Sequence, residues 1–385
     1  MSKRIAILAN FPWSFFDHGV TGRGGGQACT WLAQLAEEFV HSCPYEVHWV
    51  SIDRKMPGIR SVVKEWGGQY FHRIPGIRSS LDLRLDYRLS RWQLLRLLKK
   101  IGADVVHCWG TETAYPIVCG ACGVPSILSM QGILSEYARI ESLPDMYYWK
   151  RLVALEPQFL QAATVVTCES KWGIDRVKEV KPKVKIYQVE YGVHSFFYDT
   201  PWQPNQELPY LLYCGGMDWR KGVDVLMDAL TLIPDRKWTL RLAGEGELFL
   251  KYASLNLPRV EWLGNLNWEE LRTQMAGAWG LVMPTRADTG PSIVKEALVI
   301  GLPVIGSIHG GLRDYIQPGE NGMLVEPLQP KILAAVMNEF MSDYKRLRIM
   351  GRARHAEDRA YFRPSETARG FLAIYDELTQ QTRPR

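Results

Sequence analysis

Short apolar runs rich in Val and Ile alternate with longer helical patterns along the chain, and this alternation limits the fold more than any other feature. Such runs, separated by amphipathic segments, are typical of buried parallel strands connected by helices. The first series is RIAILAN, YEVHWVSI, DVVHCW, PSILSM, TVVTC and KIYQV. The second series is YLLYCGG, WTLRLAG, VEWLG, GLVMPT, PVIGS and GMLVEP. The pattern predicts an α/β protein with two doubly wound, Rossmann-like domains.

The proline-rich segment DTPWQPNQELP, residues 199–209, separates the two series. A chain of 385 residues exceeds the size at which a single core usually stops growing, so more than one domain is expected. We place the N-terminal domain at residues 1–204 and the C-terminal domain at residues 205–364. Residues 365–385 predict an amphipathic helix, whose apolar face contains Phe371, Leu372, Ile374, Tyr375 and Leu378.

The composition argues against several classes of partner. The net charge is only +5 and the basic residues form no single block, so nucleic acid is not the expected partner. The cysteines form no regular framework, and the C-x-x-C pair Cys119 and Cys122 has no second pair or nearby His to complete a zinc site. The first apolar run is too short for a signal sequence and no run is long enough to span a membrane, which predicts a cytoplasmic protein.

Two glycine-containing loops between a strand and a helix could bind an anion. In TGRGGGQACTWL, glycines that include Gly25 and Gly26 would let the backbone approach a phosphate, although a flexible loop explains them equally well. In YCGGMDWRKGVDVL, Lys221 follows Gly216 and Arg220 and could meet a phosphate as a point charge. A solvated basic turn is the alternative interpretation of the second loop.

A third loop, in TRADTGPSIVKEALVIG, places two acids on either side of a predicted helix start. Pro291 suits the first helical position, which would leave the N–H groups of Ser292, Ile293 and Val294 available to an anion. Asp288 precedes this helix start, and Glu296 follows Pro291 by about 7.5 Å along the helix axis. Because carboxylates accept hydrogen bonds from hydroxyls, the pattern fits a diphosphate flanked by sugars. An N-cap acid and an exposed helical Glu are the alternative.

The order of these motifs resembles the GT-B fold retaining glycosyltransferases of glycosyl transferases group 1, the family of sucrose synthases, glycogen synthases and phosphatidylinositol mannosyltransferases. The resemblance is almost continuous from YCGGMDWRKGVDVL to ENGMLVEP and looser in the N-terminal half. It implies two Rossmann-like domains facing across a cleft, with the last helix packing back on the N-terminal domain. It also implies retaining transfer of a sugar from a nucleotide diphosphate to an acceptor hydroxyl. Because the sequence has no D-x-D pair, no divalent metal is expected to be required.

The resemblance also assigns roles to the two acids. The family's signature is two Glu separated by seven residues, and here Asp288 and Glu296 have that spacing with the first acid shortened. Asp288 would contact hydroxyls of the donor sugar, and Glu296 would contact the ribose. The segment that would meet the diphosphate is Gly290, Pro291, Ser292 and Ile293.

Lys221 aligns with the family's phosphate-binding lysine. The family's partner arginine falls at Gly216, so Arg220 or Arg286 would have to supply the missing positive charge. Three further glycines lie in loops that the resemblance places near the nucleobase (Gly264) or behind the diphosphate (Gly310 and Gly311).

In the N-terminal half, Gln131 in SMQGI stands where many members have a His near the reacting carbon. Gln cannot act as a general base, so this change is expected to alter orientation and acceptor preference. His107 matches a strand-end His that is common in the family, although a core histidine is an equal alternative. Glu112 is a further candidate for the acceptor side.

Two other functions remain open at this stage. The chain could be a catalytically impaired sugar-nucleotide-binding or scaffolding subunit, or a GT-B sugar-nucleotide epimerase. Residues 78–100 combine many leucines with basic residues, which suits an anionic bilayer and a lipid-linked acceptor, or else a half-buried helix with snorkelling arginines. The basic residues are Arg78, Arg84, Arg88, Arg91, Arg96, Lys99 and Lys100.

Overall fold

The structure is a computed structural model, and it describes residues 2–18, 30–56, 60–144, 146–326 and 328–381. The chain forms two compact units, residues 1–192 with 364–385 and residues 193–363. The division therefore precedes the predicted boundary at residue 204. The reason is local packing, since the ring centroids of Phe197 and Trp268 are 5.5 Å apart and the Trp202 indole donates to the Ala278 carbonyl at 2.8 Å.

The first unit contains an eight-stranded sheet in the order β3-β4-β2-β1-β5-β6-β7-β8, parallel except for β3. Its strands are β1 (Arg4–Leu8), β2 (Glu46–Asp53), β3 (Val62–Trp66), β4 (Gln69–Pro75), β5 (Val105–Trp109), β6 (Ser126–Ser129), β7 (Val165–Cys168) and β8 (Lys185–Gln188). Its helices are α1 (Phe15–His18), α2 (Thr30–Ser42), α3 (Ser79–Arg84), α4 (Arg88–Ile101), α5 (Leu134–Arg139), α6 (Tyr147–Ala162), α7 (Lys171–Val180) and α17 (Pro364–Gln381). A short 3₁₀ helix occupies Tyr115–Val118.

The six strands predicted for this half are present, but β3 and β4 were not predicted. Strand β3 is the antiparallel edge of the sheet and is exposed along most of its length, so it lacks the apolar run that marks a buried strand. Gly67 and Gly68, both at positive φ, form the tight turn between the two strands.

Helix α17 supplies core side chains to the first unit although the whole second unit separates it from the rest of that unit in sequence. Phe371, Ile374, Tyr375 and Leu378 are buried in the same cluster as Ile5 of β1. Thr367 accepts a hydrogen bond from the Gly192 N–H at 2.8 Å and donates to the Glu190 carbonyl at 2.7 Å. This helix therefore completes one face of the sheet.

The described residues of the second unit form a parallel six-stranded sheet in the order β11-β10-β9-β12-β13-β14. Its strands are β9 (Tyr210–Cys214), β10 (Thr239–Ala243), β11 (Val260–Gly264), β12 (Gly280–Met283), β13 (Val304–Ser307) and β14 (Gly322–Val325). Its helices are α8 (Ser195–Tyr198), α9 (Val223–Thr231), α10 (Phe249–Ala253), α11 (Trp268–Gly277), α12 (Ser292–Ile300), α13 (Leu312–Tyr315), α14 (Pro330–Ser342), α15 (Tyr344–Ala353) and α16 (His355–Tyr361). All six strands predicted for this half are present.

The sheet of the second unit has the strand order of a Rossmann fold, which reverses between its first and fourth strands. Here those strands are β9 and β12, which pair directly. In open α/β sheets, ligands bind at the carboxyl ends of the strands at this reversal. The loop before α9 and the loop before α12 meet there.

Candidate active site

An ion pair joins the two loops at the strand-order reversal. The Lys221 ammonium, which precedes α9, donates to the Asp288 carboxylate, which precedes α12. Asp218 positions Lys221, because its carboxylate accepts a hydrogen bond from the Lys221 N–H at 2.9 Å. The fold thus brings together two residues that the sequence singled out separately.

Two arginines near this pair have different roles. Arg220 approaches the Asp288 carboxylate at 3.6 Å and donates to the Ala287 carbonyl at 3.2 Å, so its charge lies beside the pair. Arg286 instead forms a two-pronged pair with Asp224 at 2.7 and 2.6 Å. Of the two arginines considered from the sequence, Arg220 therefore lies beside the ion pair, whereas Arg286 is paired with Asp224.

Asp288 is buried but remains ionised. Burial alone would raise the pKa of its carboxyl, but the charges of Lys221 and Arg220 outweigh that effect and hold this pKa below its ordinary value. Lys295, which is also buried, acts in the same direction. The carboxylate can therefore accept hydrogen bonds from hydroxyl groups at neutral pH.

Gly310 and Gly311 lie directly behind Asp288. The Gly311 N–H donates to the Asp288 carbonyl at 2.7 Å. Gly310 has a φ of +68°, and a Cβ at this position would lie 2.4 Å from the Asp288 carbonyl oxygen. Only glycine tolerates both this φ and this close approach, so the backbone position of Asp288 depends on a glycine at residue 310.

The start of α12 differs by one residue from the prediction. Helix α12 begins at Ser292, and Pro291 is its flanking residue with φ −67°. The Val294 N–H donates to the Pro291 carbonyl at 3.0 Å, so the prediction that it is available to an anion is wrong. The amides of Ser292 and Ile293, after Gly290, remain the candidate anion donors.

Glu296 lies one turn into α12. Burial raises the pKa of its carboxyl to about 7, although the charge of Lys295 acts in the opposite direction. Glu296 also faces the end of β9, since its charge is, after burial, the second cause that raises the pKa of the Cys214 thiol to about 12. The charge of Lys221 acts on the same thiol in the opposite direction, so Glu296 and the ion pair both influence the end of β9.

The two remaining glycines predicted for donor binding occupy different places along this sheet edge. Gly216 lies in the loop after β9, where its carbonyl accepts a hydrogen bond from Tyr213 at 2.5 Å. Gly264 ends β11, the edge strand, and its carbonyl accepts the Gly244 N–H at 2.8 Å. Gly264 thus lies two strands away from β9. Gly25 and Gly26 lie outside the described residues.

In the first unit, Glu112 and Gln131 lie next to each other at the ends of β5 and β6. One Glu112 oxygen accepts the Gly132 N–H at 3.1 Å. The other Glu112 oxygen and the Gln131 side-chain oxygen lie 2.5 and 2.8 Å from the point where Gly110 would carry a Cβ. Burial raises the pKa of Glu112 to about 7. The pair therefore presents polar atoms at the carboxyl edge of this sheet.

His107 is a core residue, and its assignment to the acceptor side is wrong. The side chain is 0% exposed, and its two ring nitrogens contact the Tyr375 hydroxyl at 2.8 Å and the Ser129 hydroxyl at 2.6 Å. The ring stacks on Trp109 with 4.4 Å between centroids. Burial lowers its pKa to about 3, so it is neutral and has no nitrogen left for a substrate.

A family model described as glycosyl transferases group 1 matches residues 197–356, which include the ion pair, α12 and Glu296. Residues 197–356 belong to this family. An uncharacterized glycosyltransferase of Methanocaldococcus jannaschii is 23% identical over 326 residues, 82% of this chain and 87% of that protein.

Solved structures show that the glycosyltransferase has the GT-B fold. Sucrose-phosphate synthase from Thermosynechococcus elongatus matches with a TM-score of 0.79 at 18% identity, over 99% of this chain and 100% of that one. HepE of Anabaena, in complex with UDP-glucose, matches with a TM-score of 0.71 at 16% identity, over 97% of this chain and 100% of that one.

Two residues of the glycosyltransferase site, Lys295 and Thr289, were not predicted from the sequence. Lys295 is buried beside both acids, and its position three and four residues before the buried Leu298 and Val299 was a signal that it faces inward. Thr289 is fully buried, and its hydroxyl has no partner among the described residues. No sequence pattern distinguishes such a threonine from an ordinary loop residue.

Proposed function

We propose that this glycosyltransferase moves a sugar from a nucleoside diphosphate donor to an acceptor hydroxyl with retention, forming an α-linkage, and that it requires no divalent metal. The observation that carries the proposal is the Lys221–Asp288 ion pair at the strand-order reversal, beside the start of α12. Both a cation for phosphate and an anion for sugar hydroxyls are present there.

The chemistry of the ion pair fits a sugar nucleotide. A lysine ammonium has three donors, so donation to Asp288 leaves two for a diphosphate. Asp288 can accept from hydroxyls of the sugar, and Glu296 can accept from those of the ribose. The amides of Ser292 and Ile293 lie between the two acids in the chain and would face the diphosphate.

Positive charge from the protein supports the metal-independent part of the proposal. Lys221, Arg220 and the N-terminal end of α12 would together stabilise the negative charge that develops on the leaving diphosphate. The anomeric configuration is retained if the acceptor attacks the face of the sugar from which the diphosphate leaves. The leaving phosphate would then take the proton of the acceptor hydroxyl. Neither role needs a general base at Gln131.

Donor binding and product stereochemistry test the proposal in two steps. A thermal-shift screen with nucleotide sugars should identify a donor, because a ligand at about a hundred times its Kd raises the free energy of unfolding by roughly 2.7 kcal/mol. With that donor and an acceptor, the anomeric coupling in the NMR spectrum should show an α-product from an α-linked donor. A β-product would overturn retention. Donor binding without transfer or hydrolysis would favour a binding subunit. Conversion of the donor to another nucleotide sugar in the absence of an acceptor would favour an epimerase. Activity lost in EDTA and restored by a divalent ion would overturn metal independence.

We also propose that α3 and α4 contact an anionic membrane. All seven basic residues of segment 78–100 are exposed, and so are Leu81, Leu85, Leu89 and Trp92, the last at 56%. The other face of α4 packs inward through Ser90, Leu94, Leu98 and Ile101. Exposed apolar residues among cations suit the surface of an anionic bilayer. None of the helices in the described ranges is long and apolar enough to cross one.

Vesicle co-sedimentation tests this contact. Binding to phosphatidylglycerol vesicles at low salt should be lost at high salt and on vesicles of phosphatidylcholine alone. Trp92→Glu should weaken it at least about fivefold, a loss of roughly 1 kcal/mol. Leu250→Glu is the matched control, because Leu250 is 78% exposed on the second unit. Equal binding by wild type and Trp92→Glu would refute the proposed surface.

A further inference from the structure

Arg286 joins the loop before α12 to the start of α9. Its guanidinium forms the two-pronged pair with Asp224, at 2.7 and 2.6 Å, and also donates to the Trp219 carbonyl at 2.5 Å. The side chains of Arg286 and Asp224 are only 17% and 16% exposed. The positive charge that the sequence offered for a phosphate is thus matched by a carboxylate in the first turn of α9.

Further hydrogen bonds connect the same two segments close to the ion pair. The Arg286 N–H donates to the Arg220 carbonyl at 2.8 Å, and the Thr285 hydroxyl donates to that carbonyl at 3.0 Å. In the opposite direction, the Arg220 guanidinium donates to the Ala287 carbonyl at 3.2 Å. The residues of the ion pair are the next ones along each segment, so these hydrogen bonds hold the backbone on both sides of it.

The Trp219 indole stacks on the guanidinium of Arg286. The Arg286 Cζ lies 3.4 Å from the centroid of the ring, and Trp219 is 43% exposed. A planar guanidinium can stack on an aromatic ring and at the same time donate two parallel hydrogen bonds to a carboxylate, whereas a lysine ammonium is a point charge. This position therefore uses properties that are specific to arginine.

Two roles for Arg286 have to be distinguished. Direct contact with a diphosphate would require the guanidinium to leave Asp224, and this carboxylate would then lose its partner in a largely buried position. The second role is to hold the two segments together. Lys221 has a flexible four-carbon stem, so fixing the backbones of both segments limits where its ammonium can lie relative to Asp288. The contacts of Arg286 favour this second role.

We propose that Arg286 is a positioning residue of the donor site and does not bind the diphosphate. Through Asp224 and Trp219 it fixes the segment that carries Lys221 against the segment that carries Asp288. Its effect on donor binding rests on the proposed function, whereas its place between the two segments rests on its hydrogen bonds. Arg286 therefore acts on the donor through Lys221.

Asp224→Asn distinguishes the two roles by the sign of its effect. If Asp224 holds Arg286 in place, the substitution should weaken diphosphate binding at least about fivefold, although it removes a negative charge near an anionic ligand. If Arg286 binds the diphosphate, release from Asp224 should leave the affinity unchanged or raise it.

Arg286→Lys separates the roles in a second way, because it keeps the charge but cannot form the two-pronged pair. It should weaken diphosphate binding as much as Arg286→Ala does. Direct contact with a phosphate predicts instead that the lysine variant keeps most of the wild-type affinity.

A double-mutant cycle tests whether the effect passes through Lys221. In the Lys221→Ala background, Asp224→Asn should cause no further loss of affinity, because the ammonium that it helps to position is gone. The exposed pair of Arg346 and Glu339 in the same unit gives the matched controls, so Arg346→Lys and Glu339→Gln should bind like the wild type. Melting temperatures report on the fold separately, and a lower melting temperature with wild-type affinity would show a purely structural role for Arg286 and overturn the inference.

The probe is whichever of UDP, GDP, ADP and dTDP the wild type binds most tightly in isothermal titration calorimetry. Wild-type affinity in Arg286→Lys, or unchanged or higher affinity in Asp224→Asn, would overturn the inference while leaving the proposed function in place. Binding of none of these diphosphates by the wild type would refute the proposed function, and with it any role of Arg286 at a donor site.

Discussion

Lys221 and Asp288 form an ion pair across the one place in the second sheet where strand order reverses. Two residues from adjacent strand ends thereby meet at one edge of the sheet although a long segment of chain separates them. The pair also explains why a buried carboxylate stays charged.

Removal of either member of the pair should reduce catalysis. Asp288→Ala and Lys221→Ala should each lower kcat/KM at least about tenfold, which is more than roughly 1.4 kcal/mol of transition-state stabilisation. The exposed Lys331→Ala is the control for loss of a lysine in the same unit. Initial rates at saturating and limiting donor would measure the effect, and wild-type rates in both site variants would refute the assigned roles.

Gly310→Ala should damage the site through the backbone of Asp288. A Cβ there would lie 2.4 Å from the Asp288 carbonyl oxygen, in addition to the strain of a φ of +68°. Gly319→Ala separates the two effects, because Gly319 has a φ of +85° but no atom within 4 Å of its Cβ position. We expect both variants to lose about 1 kcal/mol of stability from strain, and only Gly310→Ala to lose donor binding in a thermal-shift titration. Equal donor binding by the two variants would contradict this prediction.

Glu296 should make both stability and donor affinity depend on pH. Because burial raises the pKa of Glu296 to about 7 from 4.5, the folded state binds this proton more tightly than the unfolded state. The stability contributed by the group is therefore present below about pH 4.5 and is lost as the pH rises to about 7.

Glu296→Gln should consequently be more stable than the wild type at pH 8, by about 1–3 kcal/mol, with a smaller difference at pH 5. Donor affinity of the wild type should rise between pH 6 and pH 8 as the carboxylate ionises, whereas that of the variant should be weaker and flat. Chemical unfolding and donor titration at each pH measure the two effects, with the exposed Glu247→Gln as the control. A variant that keeps the wild-type affinity profile would exclude Glu296 from donor binding.

His107 should affect acid stability rather than catalysis. Its pKa of about 3 lies below the ordinary 6.5, so the unfolded state takes up the proton first and stability falls as the pH drops from about 6.5 towards 3. His107→Gln should lose about 1–3 kcal/mol at pH 7.5, and the difference from the wild type should shrink by up to about 1.4 kcal/mol per pH unit below 6.5. Urea unfolding followed by tryptophan fluorescence at pH 7.5 and pH 5 measures this. A constant difference between the two pH values would contradict a neutral core histidine.

Most of the fold was predictable because buried parallel strands are marked by continuous apolar runs. The exceptions were β3, whose exposed residues carry no such mark, and β4, whose sequence QYFHRIP alternates after Gly67 and Gly68 and so indicated a hairpin. The end of the first unit at Gly192 was not predictable, since it depends on contacts of Phe197 and Trp202 rather than on the proline-rich composition nearby.

The candidate site was predictable in its residue types but not in its contacts. The positions of Lys221 and Asp288 follow from strand ends, whereas their pairing depends on which strands are neighbours. Spacing along the chain could not show that Asp224 pairs with Arg286. Nor could it show that the hydroxyls of Ser129 and Tyr375 contact both ring nitrogens of His107. Such partners come from distant elements.

Helix α17 has a consequence for the order in which the protein folds during synthesis. The first unit needs Phe371 and Tyr375 to close its core, but the ribosome makes these residues only after the whole of the second unit. At about 5–20 residues per second, the apolar face that receives α17 stays uncovered for roughly 10–40 seconds. The second unit, which is continuous in the chain, can fold during that interval. Translation of the first unit therefore starts before that of the second unit and finishes after it.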